Sequence, residues 1–147
     1  NNHFTAGNER VIYNLKGWRI LLQVCYDLRF PVYSRNQTIN NKKEYDAVIY
    51  VANWPEVRST VWTTLLKARA IENQSFCIGL NRIGRDDNNM NHSGNSAIID
   101  CWGNEVLSTQ VNVENLTTIE LDHEIITTIN TRFPAYLDAD PYHLTVK

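Results

Sequence analysis

The chain has 147 residues, a formal net charge of −2, 43% hydrophobic residues and three cysteines. That length supports a hydrophobic core of its own, and the near-neutral balance argues against a nucleic-acid binder, which needs a basic face. No apolar run approaches the roughly 20 residues that span a bilayer, and an odd cysteine count without CxxC spacing argues against a disulfide framework and for a reducing compartment, the cytoplasm.

Residues 1–9 are polar and read as a leading loop. Residues 11–14 and 18–24 read as two strands joined by a hairpin at Lys16-Gly17. A short helix is expected over 30–35, with Pro31 in its first turn, where a missing N–H costs nothing. Residues 37–43 are polar and read as a loop. The run Ala47-Val48-Ile49-Tyr50-Val51-Ala52 has the continuous apolarity of a strand covered on both faces, and Asn53-Trp54-Pro55 breaks it. A helix follows over 58–73, with Val57, Val61, Leu65, Ala68 and Ile71 forming an apolar stripe. Residues 76–80 read as another buried strand, giving a strand–helix–strand unit. Residues 85–95 read as a polar loop with His92 on the surface. Residues 96–99 and 105–107 flank a turn at Cys101-Trp102-Gly103-Asn104. A further strand is expected over 117–121 and a helix over 124–130. The tail from 132 to 147 carries Phe133-Pro134, Tyr136 and Tyr142, aromatics suited to packing, for instance against a partner subunit.

The chemistry concentrates at Val24-Cys25-Tyr26-Asp27-Leu28-Arg29-Phe30-Pro31. A cysteine at a strand end is ordinarily a small buried apolar residue, but the Asp-x-Arg-x-Pro cluster after it is more than a core strand requires. A thiol at a strand-to-helix elbow is presented to a cleft, where backbone N–H groups favour a thiolate and hold an oxyanion. Cys25 is therefore the candidate nucleophile, and the backbone N–H of Tyr26 a candidate oxyanion donor. Arg29 is a candidate fork for a substrate carboxylate, the alternative being a structural ion pair with Asp27. Arg69 and Glu72 lie three apart on one helix and suit a structural pair. The Asn-x-Ser/Thr triplets at Asn36, Asn73, Asn91 and Asn115 match the glycosylation pattern, as chance allows in an asparagine-rich chain. His3, His123 and His143 form no spaced pair, so no zinc site is expected.

Taken together, several stretches resemble the nitrilase superfamily of carbon–nitrogen hydrolases, in its omega-amidase-like branch. They are Cys25-Tyr26-Asp27-Leu28-Arg29-Phe30-Pro31, Tyr50-Val51-Ala52-Asn53-Trp54-Pro55, Ala68-Arg69-Ala70-Ile71-Glu72-Asn73-Gln74 and Gly79-Leu80-Asn81-Arg82-Ile83-Gly84. Gly94-Asn95-Ser96 with Ile98-Ile99-Asp100 resembles the late strand pair of that fold, and the likeness runs over about 6–142. The resemblance implies an α/β fold that is part of a four-layer α-β-β-α sandwich, with residues 1–147 the C-terminal portion of a single domain. It implies a Glu-Lys-Cys triad whose glutamate and lysine belong upstream of the cysteine motif, so that this chain carries Cys25 alone. Neither Glu9 nor Lys16 fits those missing positions. Asn53 and Trp54 are placed near the cleft, Trp54 as a wall of the substrate pocket, while Asn81 and Arg82 are expected to support loops.

The implied activity is release of ammonia from the terminal amide of a small carboxylate-bearing substrate through a cysteine thioester. No metal or organic cofactor is implied, because the thiol performs the covalent chemistry. The resemblance also implies pairing of two copies through the sandwich edges. Two alternatives stand beside it: a catalytically incomplete structural or interaction module, and a carbamoyl-amino-acid hydrolase of the same superfamily.

Overall fold

A computed structural model of the chain describes residues 5, 7 and 9–145. Most of the leading loop, and His3 with it, lies outside the described residues. The centre is a six-stranded mixed sheet built from β1 (Ile12–Leu15), β2 (Trp18–Val24), β5 (Ala47–Ala52), β6 (Phe76–Asn81), β9 (Ala97–Ile99) and β10 (Glu105–Ser108), in that spatial order. β2, β5 and β6 run parallel, and the outer pairs are antiparallel. Between β2 and β5 the chain passes through a 3₁₀ turn at Cys25–Arg29, α1 (Pro31–Ser34) and a small hairpin of β3 (Thr38–Ile39) and β4 (Lys42–Lys43). α2 (Ser59–Asn73) crosses between β5 and β6, β7 (Ile83–Arg85) and β8 (Asn91–Ser93) form an outlying hairpin, and α3 (Glu124–Arg132) closes the chain.

The β1–β2 turn forms because Lys16 and Gly17 both take positive φ, +47° and +88°. That pair of dihedrals gives a tight hairpin the twist of its strands. Register then places Leu21, Val48, Cys77 and Ile99 side by side on one face. α2 lies on that face, with Trp62 and Leu66 in the core and fully buried. Gly79 permits this seating. A Cβ there would come within 2.4 Å of Leu66 Cδ1 and 2.8 Å of Trp62.

The opposite face of the same strands is apolar and largely uncovered. Leu22, Val24, Val51 and Leu80 are 45%, 61%, 48% and 51% exposed. Only the end nearest the strand starts is closed, by Ile126 and Ile129 of α3 against Ala47 and Phe76. The expectation that 47–52 is covered on both faces therefore holds for one face alone.

Other expectations need correcting. The stripe of α2 is rotated by about one residue: Trp62, Leu66, Arg69, Ala70 and Asn73 face inward, while Val57 and Ile71 are exposed. The helix is apolar on more than one side, and the largest ring decides which side docks. The loop at 37–43 is the β3–β4 hairpin, because Asn40 and Asn41 both sit at positive φ, a conformation asparagine tolerates. Part of 85–95 is the β7–β8 hairpin, and His92 is buried rather than on the surface, its Nε2 3.4 Å from Asp86. Residues 117–121 form no strand; no neighbouring strand pairs with them, and Leu116 beside them is 99% exposed. Of the tail aromatics, Tyr136 and Tyr142 pack on their own chain, while Phe133 is exposed. The Tyr142 hydroxyl donates to the carbonyls of Val32 and Arg35, and the Tyr136 ring sits under Lys43. Asn36 and Asn73 are buried and hydrogen-bonded to each other, so neither offers a glycosylation site.

Candidate active site

β2 delivers its last residue, Val24, in extended conformation, and the next residue reverses the chain: Cys25 has φ +44°. A left-handed dihedral is uncommon for a residue with a side chain and persists only where the surroundings enforce it. Three contacts do so here. The Asp27 carboxylate accepts the Val24 N–H at 2.9 Å, and the Asp27 carbonyl accepts the Phe30 N–H at 3.0 Å. From behind, buried Arg69 of α2 donates to the Leu28 carbonyl at 2.6 Å while pairing with Glu72 at 2.9 Å. Leu28 itself is fully buried in the core. Arg69 and Glu72 thus form the structural pair expected from their spacing, and Arg69 also props the thiol-bearing turn.

A second loop faces the thiol. Asn81, at the end of β6, holds Trp54 by both main-chain groups: its Oδ1 accepts the Trp54 N–H at 2.7 Å and its Nδ2 donates to the Trp54 carbonyl at 3.0 Å. Asn81 Nδ2 also donates to the Gly94 carbonyl at 2.8 Å, tying the β8–β9 link to the same point. The loop-supporting role read for Asn81 is what the structure shows.

Between the two loops, at the carboxyl ends of the parallel strands, lies a hollow of about 360 Å³ lined by Cys25, Tyr26, Arg29, Asn53, Trp54, Pro55 and Arg58. Ligands of α/β sheets commonly bind at such strand ends. All five residues singled out from the sequence therefore meet at one place. Cys25 is half-buried and Asn53 exposed, while Trp54 is buried and its ring leans on Trp62. Arg29 does not pair with Asp27, whose carboxylate is engaged by the Val24 N–H. Instead its guanidinium carbon lies 5.0 Å from the centroid of the Trp54 ring, a cation–π distance.

Arg58 is the lining residue that the sequence reading missed. Its signal was available: a cation in the turn directly after the Asn53-Trp54-Pro55 breaker. None of the seven lining residues is a carboxylate, histidine or lysine. Glu9 borders a separate hollow with Leu22, Val24, Asp27 and Phe30, and Lys16 stays in its turn. The other two thiols are ill-suited to attack. Cys77 is fully buried, which pushes its thiol far up, and burial followed by the neighbouring Asp100 pushes Cys101 up to about 11. Among the described residues no group of three or more histidines, cysteines, aspartates or glutamates is placed to hold a metal ion, and no helix is long and apolar enough to cross a membrane.

A half-buried thiol beside an arginine and a wall of tryptophan can attack an acyl carbon and hold an anionic substrate, but it has no base of its own within the described hollow. Comparison with known proteins identifies the family. Residues 1–130 match the family model for carbon-nitrogen hydrolase. The chain is 47% identical to omega-amidase YafV of Yersinia enterocolitica over 97% of its own length and 54% of that protein. It is 34% identical to 2-oxoglutaramate amidase of Bacillus subtilis (strain 168), over 92% of this chain and 51% of that one. Among solved structures, XC1258 of Xanthomonas campestris, a CN-hydrolase superfamily protein with an arsenic adduct in the active site, superimposes with a TM-score of 0.93 at 41% identity. The overlap takes in 97% of this chain and 54% of that one. The chain spans about half the length of the curated relatives it matches.

Proposed function

The chain belongs to the carbon–nitrogen hydrolase family and has its nitrilase-like α/β fold, and from that premise we propose that it is the nucleophile-bearing part of an omega-amidase-like amidohydrolase. One observation carries the reading. The Cys25 sulfur stands at a left-handed elbow, half-buried, at the mouth of a hollow walled by Arg29, Asn53 and Trp54. In the proposed reaction the Cys25 thiolate attacks the terminal amide carbon of a small carboxylate-bearing substrate. The backbone N–H of Tyr26 donates to the developing oxyanion. Collapse of the tetrahedral intermediate expels ammonia and leaves a thioester, which water hydrolyses to the acid. Arg29 faces the substrate carboxylate, and Trp54 excludes water.

A base and a lysine complete such a site, and in this reading a second layer supplies them. The uncovered apolar face ends at Val24, Val51 and Leu80, next to the hollow. A second sheet packed there buries that face, makes the four-layer sandwich and brings its own side chains up to Cys25. Residues 1–147 are in this reading the C-terminal portion of one domain. Pairing of two copies through the sandwich edges and a cytoplasmic location belong to the same proposal.

The test is ammonia release from a panel of ω-amides by the complete protein, with and without Cys25→Ala. Turnover that requires the sulfur supports the reading, and turnover that survives its loss rejects it. The absence of any carboxylate, histidine or lysine from the described lining favours a second reading, in which the chain is a binding module without activity. That reading wins if the complete protein releases no ammonia from any amide of the panel.

A further inference from the structure

Two guanidinium groups line the hollow that holds Cys25, and they are held differently. Arg29 is half-buried and stacked on the Trp54 ring. Arg58 is exposed, but its main chain is pinned at both ends: its N–H donates to the Pro55 carbonyl at 3.0 Å, and its carbonyl accepts the Trp54 indole N–H at 2.8 Å. Neither arginine enters an ion pair among the described residues, and no acidic side chain lines the hollow. Two like charges around one concavity without a counter-charge repel each other, and an anion placed between them relieves that repulsion.

We propose that Arg58 is the specificity-determining residue for the anionic end of the amide substrate, with Arg29 serving as the stacked wall against which that end is set. The proposal rests on the amidase reading and deepens it. Arg29 presents one face to the indole, which fixes its position and limits its reach. Arg58 is fixed at the backbone and exposed at its tip, so its fork is available for a two-point contact on a carboxylate. Trp54 coordinates both: its ring carries Arg29 and its indole N–H holds the Arg58 carbonyl. A substrate with its amide carbon at the Cys25 sulfur and a carboxylate a few bonds away, such as the monoamide of a four- or five-carbon dicarboxylic acid, meets both arginines. A neutral amide of the same length meets neither.

The decisive variant is Arg58→Gln in the complete protein. The Michaelis constant for glutaramate is expected to rise more than that for valeramide by about 10- to 100-fold, the effect of losing a charge-assisted hydrogen bond. Arg58→Lys is expected to fall between, since an ammonium cannot fork. A second measurement needs no turnover. Glutarate should slow alkylation of Cys25 by iodoacetamide in the wild-type protein and fail to do so in Arg58→Gln, each measured against that protein's own unliganded rate. Equal rises for the charged and neutral amides, protection retained in Arg58→Gln, or no protection in the wild type each overturn the proposal. A wild-type protein that releases no ammonia defeats the amidase reading instead, and the protection assay still decides Arg58.

Discussion

The two faces of the central sheet are made from alternate residues of the same strands, yet they meet different surroundings. Under α2, Leu21, Val48, Tyr50 and Cys77 are fully buried, while on the reverse Leu22, Val24, Val51 and Leu80 are about half-exposed. A face destined for water normally carries polar residues in alternation. This one carries leucine and valine, and an apolar patch of that kind marks a contact surface. The comparison teaches that the sequence is written for two covered faces, and that the described residues supply only one cover.

The sharpest way to probe this difference is to attack each face in turn. Trp62→Ala, beneath α2, should cost about 3–5 kcal/mol of stability in urea unfolding, the usual range for deleting a buried aromatic. A value under about 1 kcal/mol would mean that the helix is not the true cover. The matched pair Val48→Ala and Val51→Ala isolates the faces within one strand. The first should cost about 2 kcal/mol by lost transfer energy plus a cavity. The second should stay within about 0.5 kcal/mol in this chain alone, as exposed positions do, and should become costly once a second layer is packed on it. Equal costs in the isolated chain would dissolve the distinction.

The thiols give a chemical version of the same contrast. Iodoacetamide should modify Cys25, half-buried at the mouth of the hollow, to completion before Cys77, which is sealed under the helix. Mass spectrometry of timed samples reads the order, and prior modification of Cys77 would show that the covered face opens.

A pH-dependent effect is expected near the end of the sheet that α3 closes. There Lys43 is buried, with its amine on the Gln74 carbonyl and over the Tyr136 ring. Burial is the main cause that lowers its pKa from 10.5 to about 8, against the opposing pull of Cys101 and Asp46. A depressed lysine releases its proton in the folded chain before the unfolded one does. Its penalty on stability is full below pH 8 and is relieved as pH rises from 8 toward 10.5. The stability difference between the wild type and Lys43→Met should therefore move in favour of the wild type over that interval. Groups away from Lys43 titrate alike in both proteins, and a double variant that also carries Cys101→Ala removes the interacting thiol, so a flat difference in that background would refute the assignment.

Much of this was legible in the chain itself. The strand at 47–52, the helix after Pro55 and the hairpin at Lys16-Gly17 follow from local pattern, and Cys25, Tyr26, Arg29, Asn53 and Trp54 stand out from their own short motifs. What stayed hidden depended on the third dimension. The rotation of α2 was set by which ring fits over Gly79, a contact between residues far apart in sequence. Asn40-Asn41 looked like loop because asparagine is polar, although its tolerance of positive φ made it a hairpin turn. Arg58 follows the Asn53-Trp54-Pro55 breaker closely, but only the fold brings that turn beside a thiol 33 residues earlier. His92 looked superficial in a polar stretch, and only the fold of β7 on β8 encloses it.

The positive φ at Cys25 has a corollary for stability. Glycine occupies that conformation without the steric penalty of roughly 1 kcal/mol that cysteine bears there. On stability alone this bend therefore favours glycine over cysteine. The sulfur stands there against the chain's own thermal tolerance.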